Sequence, residues 1–520
     1  MPFGRIYRMI GLLSAFFVSA CALPYASSEP PGESFARPAV ADVIVAGFDN
    51  ISDKYIEKVT LSRIGVEGLR GLGAIDPAIS LREEGDEIVL RDGGVEIGRM
   101  QYPAETDVRA WAAAVVALTE KARAHSNDVR KASAEKIYEA IFDGALSDLD
   151  IFSRYAGSAE ATRNRAKRDG FGGLGIRFRV DRGVAIVTKV IKSTPAAESG
   201  LRQGDHIISI DGAYIRGLKS REITKLIRGP VHTKVRLKLS RTESVQPFTI
   251  EVARAHIVPE TVTTRVNDGI AIIRISSFNH DTANSVERAL EKLADPSSPP
   301  IIGIVLDLRG NPGGLLRQSI KVADLMLTQG DILRTVGRHP ESLHHYEAGG
   351  NDLASGLPLV VLVDGKSASA AEIVAAALQD SDRAVVVGTS SYGKGSVQTV
   401  IRLPNDGEIT LTWSRFVAPS GYYLHGLGVV PTVCTSGKEK LSQASGIIEA
   451  ALGGDEPGYS SIWRKRAFLN QKERRGLREN CPSEARRGGL DVEIAKRLIL
   501  DGAAHQKALR QTTATAEAIN

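Results

Sequence analysis

A serine, a lysine and a glutamine lie close enough together in this chain to share one reaction. Ser369 opens the segment SAAEIVAAALQD (369–380), whose apolar spacing predicts a helix. The small-residue turn DGKSAS (364–369) precedes it, and that turn comes after the apolar run LPLVVLVD (357–364). Ser369 therefore falls at or near a helix N-terminus, where unpaired backbone N–H groups and the positive dipole end favour a developing oxyanion. A serine at such a place more commonly serves as an N-cap, a role open to Ser367 as well. Lys394 sits between two glycines in SSYGKGSVQ (390–398), with Gln398 four residues later. In an extended chain residues 394 and 398 share one face. A buried lysine that has lost its charge can act as a general base towards a serine hydroxyl, and a glutamine can hold its amine in place. The central apolar strands and the alanines of 370–377 are expected to bury it, with Glu372 pointing away from Ser369 by helical geometry. The plainer reading is a surface lysine in a flexible turn.

A third segment, DLRGNPGG (307–314), comes directly after the apolar run IIGIVLDLR (301–309). Its Gly, Asn and Pro force a tight turn, and Gly313–Gly314 let backbone N–H groups approach a ligand closely. One rival reading fails on its details. GTSSYGKG (388–395) nearly spells a GxxxxGK[ST] phosphate loop, but Gly395 stands where a hydroxyl residue must meet magnesium, and the next residues are a β-branched run instead of a helix. Metal chemistry is not indicated either. The 10 histidines form no HExxH-like cluster, and His344–His345 read as part of a polar loop.

The elements that must position these groups divide the 520 residues into several folding units. Residues 40–170 read as mainly helical, led by AWAAAVVALTEKARAHS and KASAEKIYEAIFDGAL, and carry no visible catalytic constellation. Over 171–255 the period switches to two. GIRFRV, VAIVTKVI, HIISIDG, KVRLKLS and FTIEVAR are short strands around one helix, SREITKLIR (220–228). Over 256–435 strands and helices alternate, which implies a layered α/β core. Residues 436–520 turn polar and basic and read as a solvated helical extension.

The chain begins with Arg5 and Arg8 ahead of the apolar run MIGLLSAFFVSACAL, of signal-peptide length. Residues 1–22 are thus expected to direct export, and 23–39 to form an extended linker. Val18-Ser19-Ala20-Cys21 resembles a lipobox that would lipidate Cys21, while Ala20-Cys21-Ala22 equally offers an ordinary A-x-A cut. Both readings stand. In an oxidising compartment the two remaining cysteines, Cys434 and Cys481, are free to pair. The net charge of +5 is too mild to argue for nucleic acid.

Taken together, S-A-S-A-x-E-I-x-A-x-A-L-Q-D (367–380), the GKG segment through Gln398 and GLGVVP (426–431) resemble the C-terminal processing (tail-specific) serine peptidases. The resemblance implies Ser369 as nucleophile, Lys394 as general base and Gln398 as its orienter. It implies an oxyanion hole from Ala370 and the Gly313–Gly314 turn. FGGLGIRF (171–178) and STPAAESGLRQGDHIISIDG (193–212) resemble a PDZ module. Gly172, Gly173, Leu174, Gly175 and Ile176 would then capture a peptide carboxylate and pair with the peptide strand. The fold expected is α+β and multidomain: a ClpP/crotonase-like core, a PDZ module and a mainly helical N-terminal region. The activity expected is endopeptidase action in the periplasm or cell envelope, on proteins or peptides with accessible C-termini, without metal or cofactor. Membrane association would come only through a lipid on Cys21, and a homo-oligomer is compatible with the reading. The rival from another class is a catalytically silent PDZ adaptor, which has no need of Ser369, Lys394 and Gln398 together.

Overall fold

The computed structural model describes residues 35–453 and 469–513, except 245, 351 and 487. Cys21 and the signal-like segment 1–22 lie outside them, as do residues 23–34 of the expected linker. The rest of that linker gives way to a helix, Arg37–Lys54, which Pro38 opens.

The core is a six-stranded sheet. Its order is Val262–Asn267, Ile270–Ile275, Gly303–Asp307, Leu359–Val363, Val385–Gly388 and Val433–Cys434. The first pair is antiparallel and the rest are parallel. Parallel strands need cover on both faces, which explains the unbroken apolar runs at 303–307 and 359–363. Alternate residues go to alternate sides. Ile273, Leu306 and Val361 face helices Thr282–Ala294, Leu316–Asp324 and Ala370–Asp380. Ile272, Val305, Val360 and Leu362 face helices Ala444–Leu452, Leu490–Leu500 and Gly502–Thr513.

That second layer corrects the expectation of a solvated C-terminal extension. The segment is helical, but Leu490, Ile494 and Leu498 are buried on the sheet. Each such side chain contributes about 1.5–3 kcal/mol. Arg309, in the 307–314 turn, reaches Asp491 at 3.0 Å, and Thr435 Oγ1 donates to the same carboxylate at 2.8 Å. Cys434 and Cys481 form a disulfide across 47 residues, as the sequence allowed. The extension is part of the core.

A second sheet carries the lysine segment. Its order is His344–Glu347, Asp331–Val336, Glu408–Val417 and Ser396–Arg402, with Arg154–Ala156 also paired to Glu408–Val417. His344–His345, read as loop, are therefore the start of an edge strand. Leu403, Ile409 and Leu411 of this hairpin are buried together with Phe48, Ile141 and Phe142 of the N-terminal helices. The N-terminal region is less purely helical than expected, because Ile79–Glu84, Glu87–Asp92 and Val95–Gln101 form an antiparallel sheet. The alternation in EIVLRDGGVEIGRM around Gly93–Gly94, both at positive φ, is its sequence signal.

Strands Phe248–Ala253, Lys234–Ser240, His206–Ile210, Val184–Val190 and Ile176–Asp181 form, in that order, the sheet of the β-rich module. Ile176–Asp181 lies at one edge of it. Helix Ser220–Ile227 buries Ile223 and Ile227 against it.

Candidate active site

Ser369 sits one residue ahead of helix Ala370–Asp380, half-buried, at φ 54° and ψ −115°. A non-glycine residue in that region is strained, and strain of this kind persists only where the surroundings over-determine it. Those surroundings are visible. The Ser369 N–H donates to Glu372 Oε2 at 2.7 Å, while its hydroxyl caps no helix N–H. The turn is thus fixed by the serine's own backbone N–H and the Glu372 carboxylate. Ser367 is the structural serine: its buried hydroxyl donates to Leu308 O at 2.9 Å and accepts from the Asp364 N–H.

The 307–314 turn is fastened to the serine turn. Gly310 N–H donates to Asp364 Oδ1 at 2.8 Å, and Ala368 N–H to Asn311 O at 3.0 Å. Across residues 309–314 and 367–371, the N–H groups of Gly314 and Ala370 alone lack a partner among the described residues. The Gly313 N–H, expected to share in an oxyanion hole, is directed to Asn311 Oδ1 at 2.8 Å. Gly313 matters for space instead, since a Cβ there would stand 2.9 Å from Ser369 Cβ. Of the turn's three glycines, Gly314 alone leaves its donor open.

Glu372 corrects a second expectation, that it points away from Ser369. The structure puts its carboxylate beneath both reactive segments. Oε2 accepts from the Ser369 N–H and from the Lys394 N–H at 2.9 Å. Oε1 accepts from Gly393 N–H at 2.6 Å and from the Ser391 hydroxyl. The physical reason is the capping-box rule, by which a glutamate three residues past the cap turns back to the cap's own N–H. Burial pushes this carboxyl above its usual range, and the four donors oppose that by favouring the ionised form. One buried side chain thereby staples the serine turn to the lysine loop.

Lys394 is half-buried, and its ammonium group lies 4.8 Å from the centre of the Phe152 ring. Burial pulls its pKa below the ordinary lysine value, and the charge of Arg154 adds to this. Asp150 and Glu372 act in the opposite direction. Part of its wall is Phe152, from a segment far away in sequence that the sequence reading did not single out. Gln398 makes no hydrogen bond to Lys394. Its amide nitrogen donates to Ser396 Oγ at 2.9 Å. A register irregularity between Val397 and Gln398 breaks the simple alternation on which the shared face of 394 and 398 relied. The lysine loop leads into strand Ser396–Arg402, as expected against a phosphate loop.

In the β-rich module, Leu174, Gly175 and Ile176 line a groove between strand Ile176–Asp181 and helix Ser220–Ile227. The Leu174 and Gly175 N–H groups donate to nothing among the described residues, while their carbonyls accept from Ala196 and Ile191. Gly172 and Gly173 lie beside the groove, in a strand paired with Ala255–Ile257. Gly172 is pressed against Gly229, whose oxygen would stand 2.0 Å from a Cβ. The Arg228 guanidinium stacks 3.7 Å from the centre of the Phe171 ring at the groove's end.

A serine hydroxyl at a helix N-terminus, two open N–H donors and a lysine whose pKa burial lowers are the groups that acyl transfer requires. The molecule is accordingly a peptidase-type α/β core joined to a peptide-binding module. Residues 269–435 match the family model described as peptidase family S41, and residues 172–252 that of the PDZ domain. A carboxy-terminal-processing protease of Bartonella bacilliformis is 38% identical over 301 residues, covering 58% of this chain and 69% of that protein. The carboxy-terminal processing protease CtpA of Bacillus subtilis is 31% identical over 318 residues, covering 59% of this chain and 66% of its own. Among solved structures, a photosystem II D1 C-terminal processing protease aligns with TM-score 0.36 and 23% identity over 76% of this chain and 92% of that one. The chain belongs to the carboxy-terminal-processing protease family of S41 peptidases.

Proposed function

We propose that the protein is an exported serine endopeptidase in which Ser369 is the nucleophile and Lys394 its general base. Ser369 would attack the scissile carbonyl while Lys394 takes its proton. The oxyanion would face the N–H groups of Ala370 and Gly314, and water would then release the acyl group. The observation that carries this reading is the Glu372 carboxylate, whose Oε2 accepts from the N–H groups of Ser369 and Lys394 at once. A buried carboxyl group that ties a strained serine to a lysine loop has no use in a silent adaptor. Gln398 has a smaller part in this reading, keeping the start of its strand in place through Ser396.

The PDZ module would bind the free C-terminus or an unstructured segment of a protein, adding it as a strand to the edge Ile176–Asp181. Its carboxylate would meet the N–H groups of Leu174 and Gly175. Export to the periplasm or cell envelope is supported by the Cys434–Cys481 disulfide, which an oxidising compartment maintains. No described helix is long and apolar enough to cross a membrane. Mass spectrometry of the mature N-terminus decides between a lipidated Cys21 and an ordinary cut.

Lys394→Arg tests the mechanism most directly. Arginine keeps the charge but cannot give up its proton. The expected loss is about 10²–10⁴-fold in kcat/KM, equal to that of Lys394→Ala. In the unchanged enzyme the rate should rise with pH through the lysine's lowered pKa. Substantial peptidase activity in Lys394→Arg would show that another group is the base.

A further inference from the structure

The helix Gln471–Glu479 lies beyond the residues that match the family model, yet it reaches the lysine loop. Arg478 Nη1 donates to Leu427 O at 2.6 Å, and Nη2 to Ser391 O at 2.8 Å. One turn earlier, Arg474 Nη1 donates to His425 O at 2.6 Å. The two arginines thus hold both sides of the loop that faces Lys394. Glycine leaves the space they need. A Cβ on Gly393 would stand 3.4 Å from Arg478 Nη1, and one on Gly428 3.1 Å from it. That same point at Gly428 is 3.1 Å from Glu372 Oε1 and 2.6 Å from Ser391 Oγ. The guanidinium therefore lies beside the carboxylate that joins the two reactive segments; burial works against its charge and Glu372 opposes that. Leu477 packs on the core, and Cys481, three residues after Arg478, is bonded to Cys434 at the edge of the main sheet.

We propose that Arg478 is a positioning residue for the Ser369–Lys394 pair, held over residues 391–394 by a helix that the Cys434–Cys481 disulfide fastens to the core. Arg478 touches neither reacting group. It fixes the Ser391 carbonyl and offers a counter-charge to Glu372, and Glu372 in turn fixes the N–H groups of Ser369, Gly393 and Lys394. A guanidinium suits this place, because its planar fork serves two carbonyls at once while remaining charged. The inference rests on the serine–lysine reading and adds to it a part supplied from outside the matched family segment.

The test uses the full mature protein and a fluorogenic peptide substrate. Arg478→Ala should lower kcat about tenfold to a hundredfold, the range expected when a reactive group is displaced by a fraction of an ångström to an ångström. KM should stay within about twofold, since the peptide is held elsewhere. Guanidinium ion far below denaturing concentration should restore part of the Arg478→Ala rate and none of the Lys394→Ala rate. Arg478→Lys should fall between wild type and Arg478→Ala. The double variant Cys434→Ser/Cys481→Ser, which keeps Arg478 but frees its helix, should lose kcat in the same direction and by less. A wild-type kcat in Arg478→Ala, or a loss that guanidinium does not relieve and that Arg478→Lys shares in full, overturns the positioning role. Ser369→Ala run alongside separates the two claims. An active Ser369→Ala removes the serine–lysine reading and this inference with it, whereas an inactive one beside an unimpaired Arg478→Ala removes this inference alone.

Discussion

The serine–lysine junction and the peptide groove both present open backbone donors, and they hold them in opposite ways. At the junction two N–H groups, of Gly314 and Ala370, stay open inside turns whose other donors are all committed, above a carboxylate with four donors of its own. In the groove the open N–H groups of Leu174 and Gly175 belong to a short loop at a sheet edge. The first arrangement fixes atoms before any substrate arrives, as stabilising a transient oxyanion requires. The second leaves an edge strand unfilled, where under the proposed reading a ligand would complete the sheet through its backbone. Under that reading preorganisation and tolerance are divided between two parts of one chain.

The largest effect that would sharpen this contrast is expected at Gly314. Its φ of 147° and a Cβ that would fall 2.1 Å from Phe278 O leave no room for a side chain. Gly314→Ala must move the turn and take its N–H with it. Loss of one oxyanion donor costs about 10²–10³-fold in kcat. Steady-state kinetics on a short peptide that does not engage the groove would read this. A kcat close to that of wild type would mean that the turn is not rigid. The groove should respond differently and more weakly. Amidating the C-terminus of a bound peptide removes the charge that Leu174 and Gly175 would meet, and should weaken binding by about 1–3 kcal/mol. Titration calorimetry with acid and amide forms of one peptide measures it. Equal affinities would refute carboxylate capture, and a change in kcat on short peptides would refute the division of labour.

The same division marks what the sequence can reveal. Ser369, Lys394 and the edge strand are readable because each lies in a short motif whose chemistry depends on neighbours in sequence. The central strands are readable for a related reason, since burial on both faces leaves unbroken apolar runs. Glu372 is also within reach, because Ser369-x-x-Glu372 has capping-box spacing. Interior helix geometry points the wrong way there, since the first turn of a helix obeys the rules of its cap. Phe152 leaves no local trace, as it is brought to Lys394 by long-range links of residues 150–156 to strand Glu408–Val417. The C-terminal helices are obscured by composition. The basic runs WRKR and KERRGLR set the character of the whole segment, while Leu490, Ile494 and Leu498 cover the sheet from a later helix. Gln398 shows the limit of a periodic rule, because a register shift between Val397 and Gln398 interrupts the alternation from which a shared face was read.

The smallest expected effect tests whether the junction is held together at a cost to the fold. Lys394 has its pKa lowered, first by burial, so the folded protein binds this proton less readily than the unfolded chain does. Linkage fixes the sign. Below the folded pKa the charge is present in both states and the fold carries the whole penalty of burying it. As pH rises through the folded pKa and on to the unfolded value, near about 10.4, the penalty fades to nothing. Lys394→Met removes the charge, keeps an unbranched chain against Phe152, and adds a sulfur–aromatic contact. It should abolish activity and still raise the melting temperature at neutral pH. The lysine is only half-buried, so solvent screening limits the gain to roughly 1–3 °C. The gain should shrink as the pH approaches the ordinary lysine value. Differential scanning calorimetry at several pH values decides it. A melting temperature below wild type at neutral pH would mean that the ammonium group stabilises the fold through Phe152 and Asp150. Lys394 would then be better described as a charged structural contact than as a base kept neutral.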